Sequence, residues 1–485
     1  MRWRPAALGG AAIVTAVAAS PPVIATQNEL LISTDPALIG RFKESVPDYV
    51  SRCKKGQPVK VSVSAPGGHT VSVDGGTAGS GRFAATVAVK ASQAFTIRVS
   101  SAGRMFDYHV RCLPRSFPSW RVTRGGTPQA QWFLLSPSGH YAAFFNGGGI
   151  PLWWIRTKDQ PFNPTLLPDG NLAWYSHLGG SIGTSHRRTY EEHRLDGSLV
   201  RRLTTIGPPT DLHEVQQLAN GNYLLDTYPK RGGVDLRPYG GPRNATVYDA
   251  EVQEITPHGQ LAWRWSSRGR IDLSETGHRW WRSIIEGQKS VPTRERVYDP
   301  IHINSIEVDG GTIVVSLRHD DAIYGIEKAT GRIQWKLGGT RTPKSLTILG
   351  DRPYASTTFG GQHDARVLPD GTLTVYDNSA RRQRRPRAVR YRIDTANRTA
   401  TLLEQVTYSS VKKSRRGGGA RKLAGGDWVI SWGGGPWVTE LSRTGHVVFS
   451  MRFPGLKGYR VDPLTPGVVS AAALRSAMDR MHPRK

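Results

Sequence analysis

Three histidines of this chain stand at one position of a recurring unit. A glycine-containing turn falls between two β-like stretches at Ser138-Gly139, Asp169-Gly170, Asn220-Gly221, Asp309-Gly310, Asp370-Gly371 and Gly425-Gly426. Eight residues before the turn glycine stand Gln131, Phe162, His213, His302, His363 and Gly418. Histidine accounts for 14 of 485 residues, so six positions should hold fewer than one, and they hold three. Asn304 shares a strand face with His302, two residues on. Arg318 follows the next strand, Val314-Val315-Ser316-Leu317. A set of His, Asn and Arg donors suits a tetrahedral oxyanion, phosphate or sulfate. One imidazole can attack phosphorus or sulfur while the other groups stabilise charge on the oxygens. Three imidazoles also suit zinc with water as fourth ligand. No carboxylate repeats beside them, however, and Arg318 would repel a dication, so neither a metal nor a cofactor is expected. Any single histidine could simply cap a strand end; a shared offset makes a common site the better reading.

Those residues need a scaffold that brings distant segments together. Most of the turns lead into apolar stretches, as in Tyr223-Leu224-Leu225, Ile313-Val314-Val315, Leu373-Thr374-Val375-Tyr376 and Trp428-Val429-Ile430. Later strands such as Gly331-Arg332-Ile333-Gln334-Trp335 and Gly445-His446-Val447-Val448-Phe449 close several units. Six units of uneven length between residues ~120 and ~455 are the pattern of a six-bladed β-propeller. Equivalent inner-strand positions of such a fold lie at one height around its axis, so His213, His302 and His363 should converge at one mouth of the channel. Upstream, Val59-Lys60-Val61-Ser62-Val63, Phe83 to Val89 and Phe95-Thr96-Ile97-Arg98-Val99 alternate with period two, which predicts a small antiparallel β-sandwich. The fold class expected is all-β: a six-bladed β-propeller preceded by a small β-sandwich domain. The expected boundaries are a sandwich at 26–113, a linker at Pro114 to Ser119, a catalytic propeller at 118–460 and a basic tail at 461–485.

Composition agrees with this reading. Gly 54, Pro 32, Trp 14 and Tyr 16 mark a turn-rich β protein. Hydrophobic residues make up 38% of the chain, enough to exclude global disorder. Residues 1–25 have the basic start (Arg2, Arg4), small apolar run and small-residue end of an export signal. No other segment could span a bilayer, so a secreted or cell-envelope location is expected. Cys53 and Cys112 are the only cysteines. A bridge between them would close a loop of about 60 residues and stabilise by about 4 kcal/mol in the chain-entropy model. Lys and Arg outnumber Asp and Glu 65 to 38, a formal charge of +27. Two basic clusters, around Arg381, Arg382, Arg384, Arg385, Arg387 and Arg390 and around Lys412, Lys413, Arg415, Arg416, Arg421 and Lys422, read as solvated loops. Such charge attracts anionic envelope polymers or small anionic substrates. No nucleic-acid recognition motif accompanies it.

The segments Asp211-Leu-His213-Glu214, His302-Ile-Asn304-Ser305, Ser316-Leu-Arg318-His319, Gln362-His363-Asp364-Ala365-Arg366 and Tyr376-Asp377-Asn378 resemble the arylsulfotransferase family, over roughly residues 120–455. The resemblance implies an exported six-bladed propeller that moves a sulfuryl group from an aryl sulfate to a phenol without a nucleotide donor, through a sulfohistidine. By motif position His363 is then the nucleophile. His302, Asn304 and Arg318 bind the sulfuryl group, and His213 adds binding and proton transfer. Loops 227–246 and 265–300, with Trp280-Trp281, are peculiar to this chain and are expected to cover the channel mouth, where the two indoles could stack an aryl group. A second reading is a non-catalytic propeller whose basic loops hold an anionic envelope polymer. A quinone-dependent dehydrogenase would repeat the Ala329-Thr330-Gly331 signature many times, and a lactonase-type propeller would want several axial carboxylates.

Overall fold

The computed structural model describes residues 29–484 apart from 139, 178–183, 186, 352–357 and 457. The export signal expected at 1–25 lies outside the described residues. What is described is all-β apart from two α-helices and three single-turn 3₁₀ segments.

Near the N-terminus the period-two stretches form two sheets. Leu31–Asp35, Val59–Ala65 and Gly81–Val87 make one. Asp48–Ser51, Arg104–Cys112, Ala94–Ser101 and His69–Val73 make the other. Alternation places Val59, Val61, Val63 and Ala65 inward, where they join Val71, Phe95, Ile97, Tyr108 and Val110 in one apolar cluster. One pairing departs from the antiparallel expectation: Asp48–Ser51 runs parallel to Arg104–Cys112. Parallel neighbours need a long crossover, and the intervening strands supply it. The pairing sets Ser51 opposite Cys112. Cys53, two residues on, thereby reaches its partner, and the Cys53–Cys112 disulfide forms with a Cα–Cα distance of 5.3 Å.

Six further sheets follow. Sheet 1 holds Trp132–Ser138, Tyr141–Asn146 and Pro151–Arg156. Sheet 2 runs from Gln160–Leu166 to Leu199–Leu203, sheet 3 from Thr210–Gln217 to Leu261–Ser266 and sheet 4 from Ile303–Asp309 to Ile333–Gly338. Sheet 5 runs from His363–Val367 to Thr399–Val406, with Thr347–Leu349 at its edge, and sheet 6 from Gly419–Lys422 to Val447–Arg452. In sheets 2 to 6 the first hairpin closes on the glycine turn read from the sequence. Gly170, Gly221 and Gly371 adopt φ of +84°, +82° and +72° there, a conformation that costs an L-residue about 1–2 kcal/mol. The leading strands of successive sheets are neighbours in space. Broad aromatic side chains such as Trp153, Trp174 and Trp428 fill the gaps between sheets.

The two ends of this array share strands. Arg121–Arg124, which precedes sheet 1, pairs with Val447–Arg452 of sheet 6. Val461–Leu464, near the C-terminus, pairs with Trp132–Ser138 of sheet 1. Residues 461–485 are therefore not the tail expected from their composition: they carry that strand and a helix that begins where Ser470 accepts a hydrogen bond from the Ala473 N–H. This helix, Ala471–Met481, buries Leu474, Ala477 and Met478 against the core of sheet 1. It also ties the small N-terminal sheets down, through Arg475–Asp48 at 2.9 Å and Arg111–Asp479 at 2.7 Å. The other helix, His278–Gly287, lies between sheets 3 and 4. It packs on Val234, Leu236 and Val247 from the insertion within sheet 3.

Candidate functional site

His213 and His363 lie on the leading strands of sheets 3 and 5, and His302 immediately precedes that of sheet 4. Each strand is bulged at this point: the pairing register shifts between Thr210 and Val215, between Ile303 and Ser305, and between His363 and Arg366. A bulge re-aims the side chains beside it, and His302 itself takes φ +58°. The rings of His213 and His302 meet edge to face with centroids 5.1 Å apart. His319, directly after Arg318, brings a fourth imidazole 5.0 Å from that of His302.

Two of these rings are backed by carboxylates. Nδ1 of His302 donates to Asp299 at 2.5 Å, and Nδ1 of His213 donates to Asp211. Each ring keeps Nε2 for other use. This overturns the expectation that no carboxylate accompanies the imidazoles; Asp211 lies two residues before its histidine and Asp299 three before. Burial would raise the Asp299 carboxyl, but His302, His319 and Arg318 outweigh it and bring it down to about 2. Asp226, beside Asp211, is pushed well above the usual carboxylate range by burial and by the Asp211 and Glu214 charges.

Asp299, His302 and His319 are crowded enough to suggest metal ligands, as are Asp211, His213 and Asp226. The donor sets argue otherwise. His319 donates from Nδ1 to the Asp299 carbonyl at 2.8 Å and accepts Arg318 Nη1 at Nε2 at 2.6 Å, so it has no lone pair to offer. In the second set Nδ1 of His213 and a carboxylate oxygen of Asp211 are already bonded to each other.

His363 is held differently. Its Nδ1–H donates to Asn378 Oδ1 at 2.7 Å and to the Gly361 carbonyl at 2.9 Å. Its Nε2 accepts the Gly417 N–H at 3.1 Å. Burial, followed by the charge of Arg318 and the neighbouring His213, keeps the ring well below the ordinary histidine value. The result is a neutral imidazole with its proton on Nδ1 and its lone pair on Nε2. Asn378 is itself fixed, donating to Ser414 Oγ and to the Gly417 carbonyl, each at 2.8 Å. Asn304 is wholly buried and donates to the Gln362 carbonyl at 2.7 Å. It thus touches the backbone just before His363.

Arg318 donates to the Arg415 carbonyl at 2.9 Å and lies 4.3 Å over the Trp280 ring. Burial lowers its guanidinium to about 10 against the support of Asp321 and Asp299. It opens into a cavity of about 760 Å³, also lined by Trp280 and by residues 379–382, 384 and 413–416. The two basic clusters read as solvated loops therefore meet over the site. Part of the first is buried structure: Arg384 pairs with Asp377 at 2.7 Å and Arg387 with Asp351 at 2.8 Å. The Trp280-Trp281 pair also departs from the stacking expectation. Trp281 is buried against Tyr239 with ring centroids 4.1 Å apart, and Trp280 carries guanidinium groups of Arg318 and Arg279.

Below the histidines lies a buried ion network. Arg366 pairs with Glu214 at 2.5 Å and with Asp364 at 2.8 Å, and Arg460 pairs with Glu214 at 3.1 Å and with Asp364 at 3.3 Å. Arg460 also donates to the carbonyls of His213 and Asn304. The network joins sheets 3 and 5 to the segment before the last strand, and so fixes the backbone on which two of the site residues stand. Asp211, Asp299, His319, Asn378 and Gly417 were not assigned a role from sequence, although all but Asp299 and Gly417 fall within the quoted motifs.

The family model described as Arylsulfotransferase (ASST) matches residues 186–454. No curated protein matches the chain. Among solved structures, a protein of unknown function from Bacteroides caccae and the periplasmic gluconolactonase of Pseudomonas aeruginosa each share 14% identity with it. In each case the likeness covers 69% of this chain and 99% of the other, with a TM-score of 0.40. The Cps50 (Swd1) β-propeller domain of Myceliophteria thermophila shares 10% identity over 72% of this chain and 93% of its own, with a TM-score of 0.37.

Proposed function

The chain belongs to the arylsulfotransferase family, a transferase family of small aryl substrates, and on that premise we propose that it moves a sulfuryl group from an aryl sulfate to a phenolic acceptor through a sulfohistidine at His363. The observation that carries the proposal is the state of His363: neutral, with its Nδ1 proton on Asn378 and Gly361, its Nε2 lone pair on the Gly417 N–H, and Arg318, His213 and His302 near enough for their charges to act on it. The Nε2 lone pair attacks sulfur, the sulfur–oxygen bond to the aryl group breaks, and the phenolate leaves with the electron pair. Nδ1 keeps its proton, so the adduct is an imidazolium whose charge Asn378 Oδ1 and the Gly361 carbonyl stabilise. Such an adduct is a good leaving group. A phenol oxygen then attacks sulfur, the sulfur–nitrogen bond breaks, and the pair returns to Nε2.

The transition state for sulfuryl transfer is loose and its charge lies on the equatorial oxygens, as in phosphoryl transfer, so fixed donors matter most. Arg318 supplies one, Gly417 N–H, released by Nε2 of His363, becomes another, and His213 and His302 donate from Nε2 only while they hold a proton taken from a phenol. His302 and His213 exchange the proton with the leaving and entering phenols. Asn304 holds the segment before His363. This reading takes the six sheets as six propeller blades, the two N-terminal sheets as a small separate domain and the protein as exported. The Cys53–Cys112 bridge is compatible with an extracytoplasmic location.

The test is turnover of 4-nitrophenyl sulfate with and without phenol, combined with mass spectrometry of the quenched enzyme. Acceptor-dependent release, with one sulfuryl group on the peptide containing His363 and none in His363→Asn, is the expected result. Arg318→Ala should lower kcat by about 10²–10³, as loss of a comparable oxyanion donor does. Release that ignores the acceptor would indicate a hydrolase, and no release from any aryl sulfate would remove the enzymatic reading.

A further inference from the structure

We infer that the aryl substrate carries a second anionic group, a carboxylate, phosphate or further sulfate, and that the cavity above Arg318 binds it; the inference rests on the transferase reading of the histidines below. Seven of the twelve residues lining the cavity are Lys or Arg and none is acidic. One transferring sulfuryl group needs only the charge nearest it, which is that of Arg318. Lys413, Arg415 and Arg416 are exposed at the opening, and among the described residues none of the three forms an ion pair. Arg381 donates to the Arg279 carbonyl and lies 5.2 Å from the Trp280 ring, again with no carboxylate partner among the described residues.

Unbalanced cations in one concavity repel one another, at about 0.6 kcal/mol per pair 7 Å apart even in water. The fold nevertheless holds the walls in place. Ser414 bonds both Asn378 and the Gly433 carbonyl, which anchors one basic segment. Arg318 is stacked on Trp280 and bonded to the Arg415 backbone, which ties the two sides together. A volume of about 760 Å³ is that of a small-molecule site. An extended polymer would instead want its cations spread along an open face.

The test compares two donors that release phenols of the same acidity, because two methylenes insulate the ring: 3-(4-sulfooxyphenyl)propanoate and its propanamide. One charge-assisted contact should favour the acid about tenfold in kcat/KM at 0.01 M ionic strength. The preference should shrink towards one at 0.15 M, as the Debye length falls from about 30 to 8 Å. It should shrink likewise in the triple variant Lys413→Gln, Arg415→Gln, Arg416→Gln. A ratio of one in the unaltered protein, or a ratio the triple variant leaves intact, overturns the inference. If neither donor nor 4-nitrophenyl sulfate turns over, the transferase reading fails by itself. Calorimetry with the matching sulfonates, sulfomethyl in place of sulfooxy, then decides the cavity's role: about tenfold tighter binding of the acid supports it, and equal binding overturns it.

Discussion

A histidine kept neutral by burial carries a signature in stability as well as in reactivity. His213, His319 and His363 are each held below the ordinary value, with burial the largest cause. Below pH ~6.5 the unfolded chain therefore binds protons that the folded chain does not. The stability they confer is complete above pH ~6.5 and is lost as pH falls towards their folded values, by up to about 1.4 kcal/mol per pH unit for each ring. Asp320, raised by burial to about 8, acts in the opposite sense, so the net slope of the parent protein is not diagnostic. The slope difference between the parent and His319→Gln is. The urea midpoint at pH 7 minus that at pH 5 should be smaller in that variant, and an unchanged difference would show that His319 is protonated in the fold. His213, His302 and His363 stood out in sequence because a repeat offset marks them, and Arg318 because it follows the strand after His302. Asp299 and His319 were not, because they reach His302 through a loop and a left-handed residue rather than through strand periodicity.

Among the elements, the glycine at the counted position of sheet 6 shows why that sheet offers backbone where three others offer a ring. Gly418 has φ +96°, and a Cβ there would lie 2.4 Å from the Tyr376 ring and 2.8 Å from the Gly433 nitrogen. Gly371, in a hairpin turn at φ +72°, faces open space. Gly371→Ala should cost about 1–2 kcal/mol from its backbone alone. Gly418→Ala should cost about 1–3 kcal/mol more through overpacking. It should also cut turnover, since Gly417 next to it holds His363; equal losses from the two substitutions in urea melts would contradict the close approach. The turn glycines made the sheets readable one by one. They could not announce the bulges, which depend on how two strands pair, nor the helix His278–Gly287, whose apolar face is matched to an insertion far away in sequence.

At the scale of the whole molecule, the net charge of +27 was readable as a sum but not as a map. Some arginines are spent in buried pairs and others collect over Arg318, and only tertiary contacts separate the two groups. The C-terminal residues show the same limit: their composition suggested a tail, while their apolar side chains pack on sheet 1. Leu474 is fully buried there, so Leu474→Ala should cost about 2–5 kcal/mol and lower Tm, with little change in kcat/KM for the folded enzyme. A Tm within a degree of the parent would mean that the helix does not hold. The strand Val461–Leu464 carries the further consequence. Sheet 1 begins near residue 132, yet its fourth strand emerges from the ribosome more than 300 residues later. A growing chain cannot complete its first sheet early, so sheet 1 keeps an unpaired edge until residues 461–464 have been made.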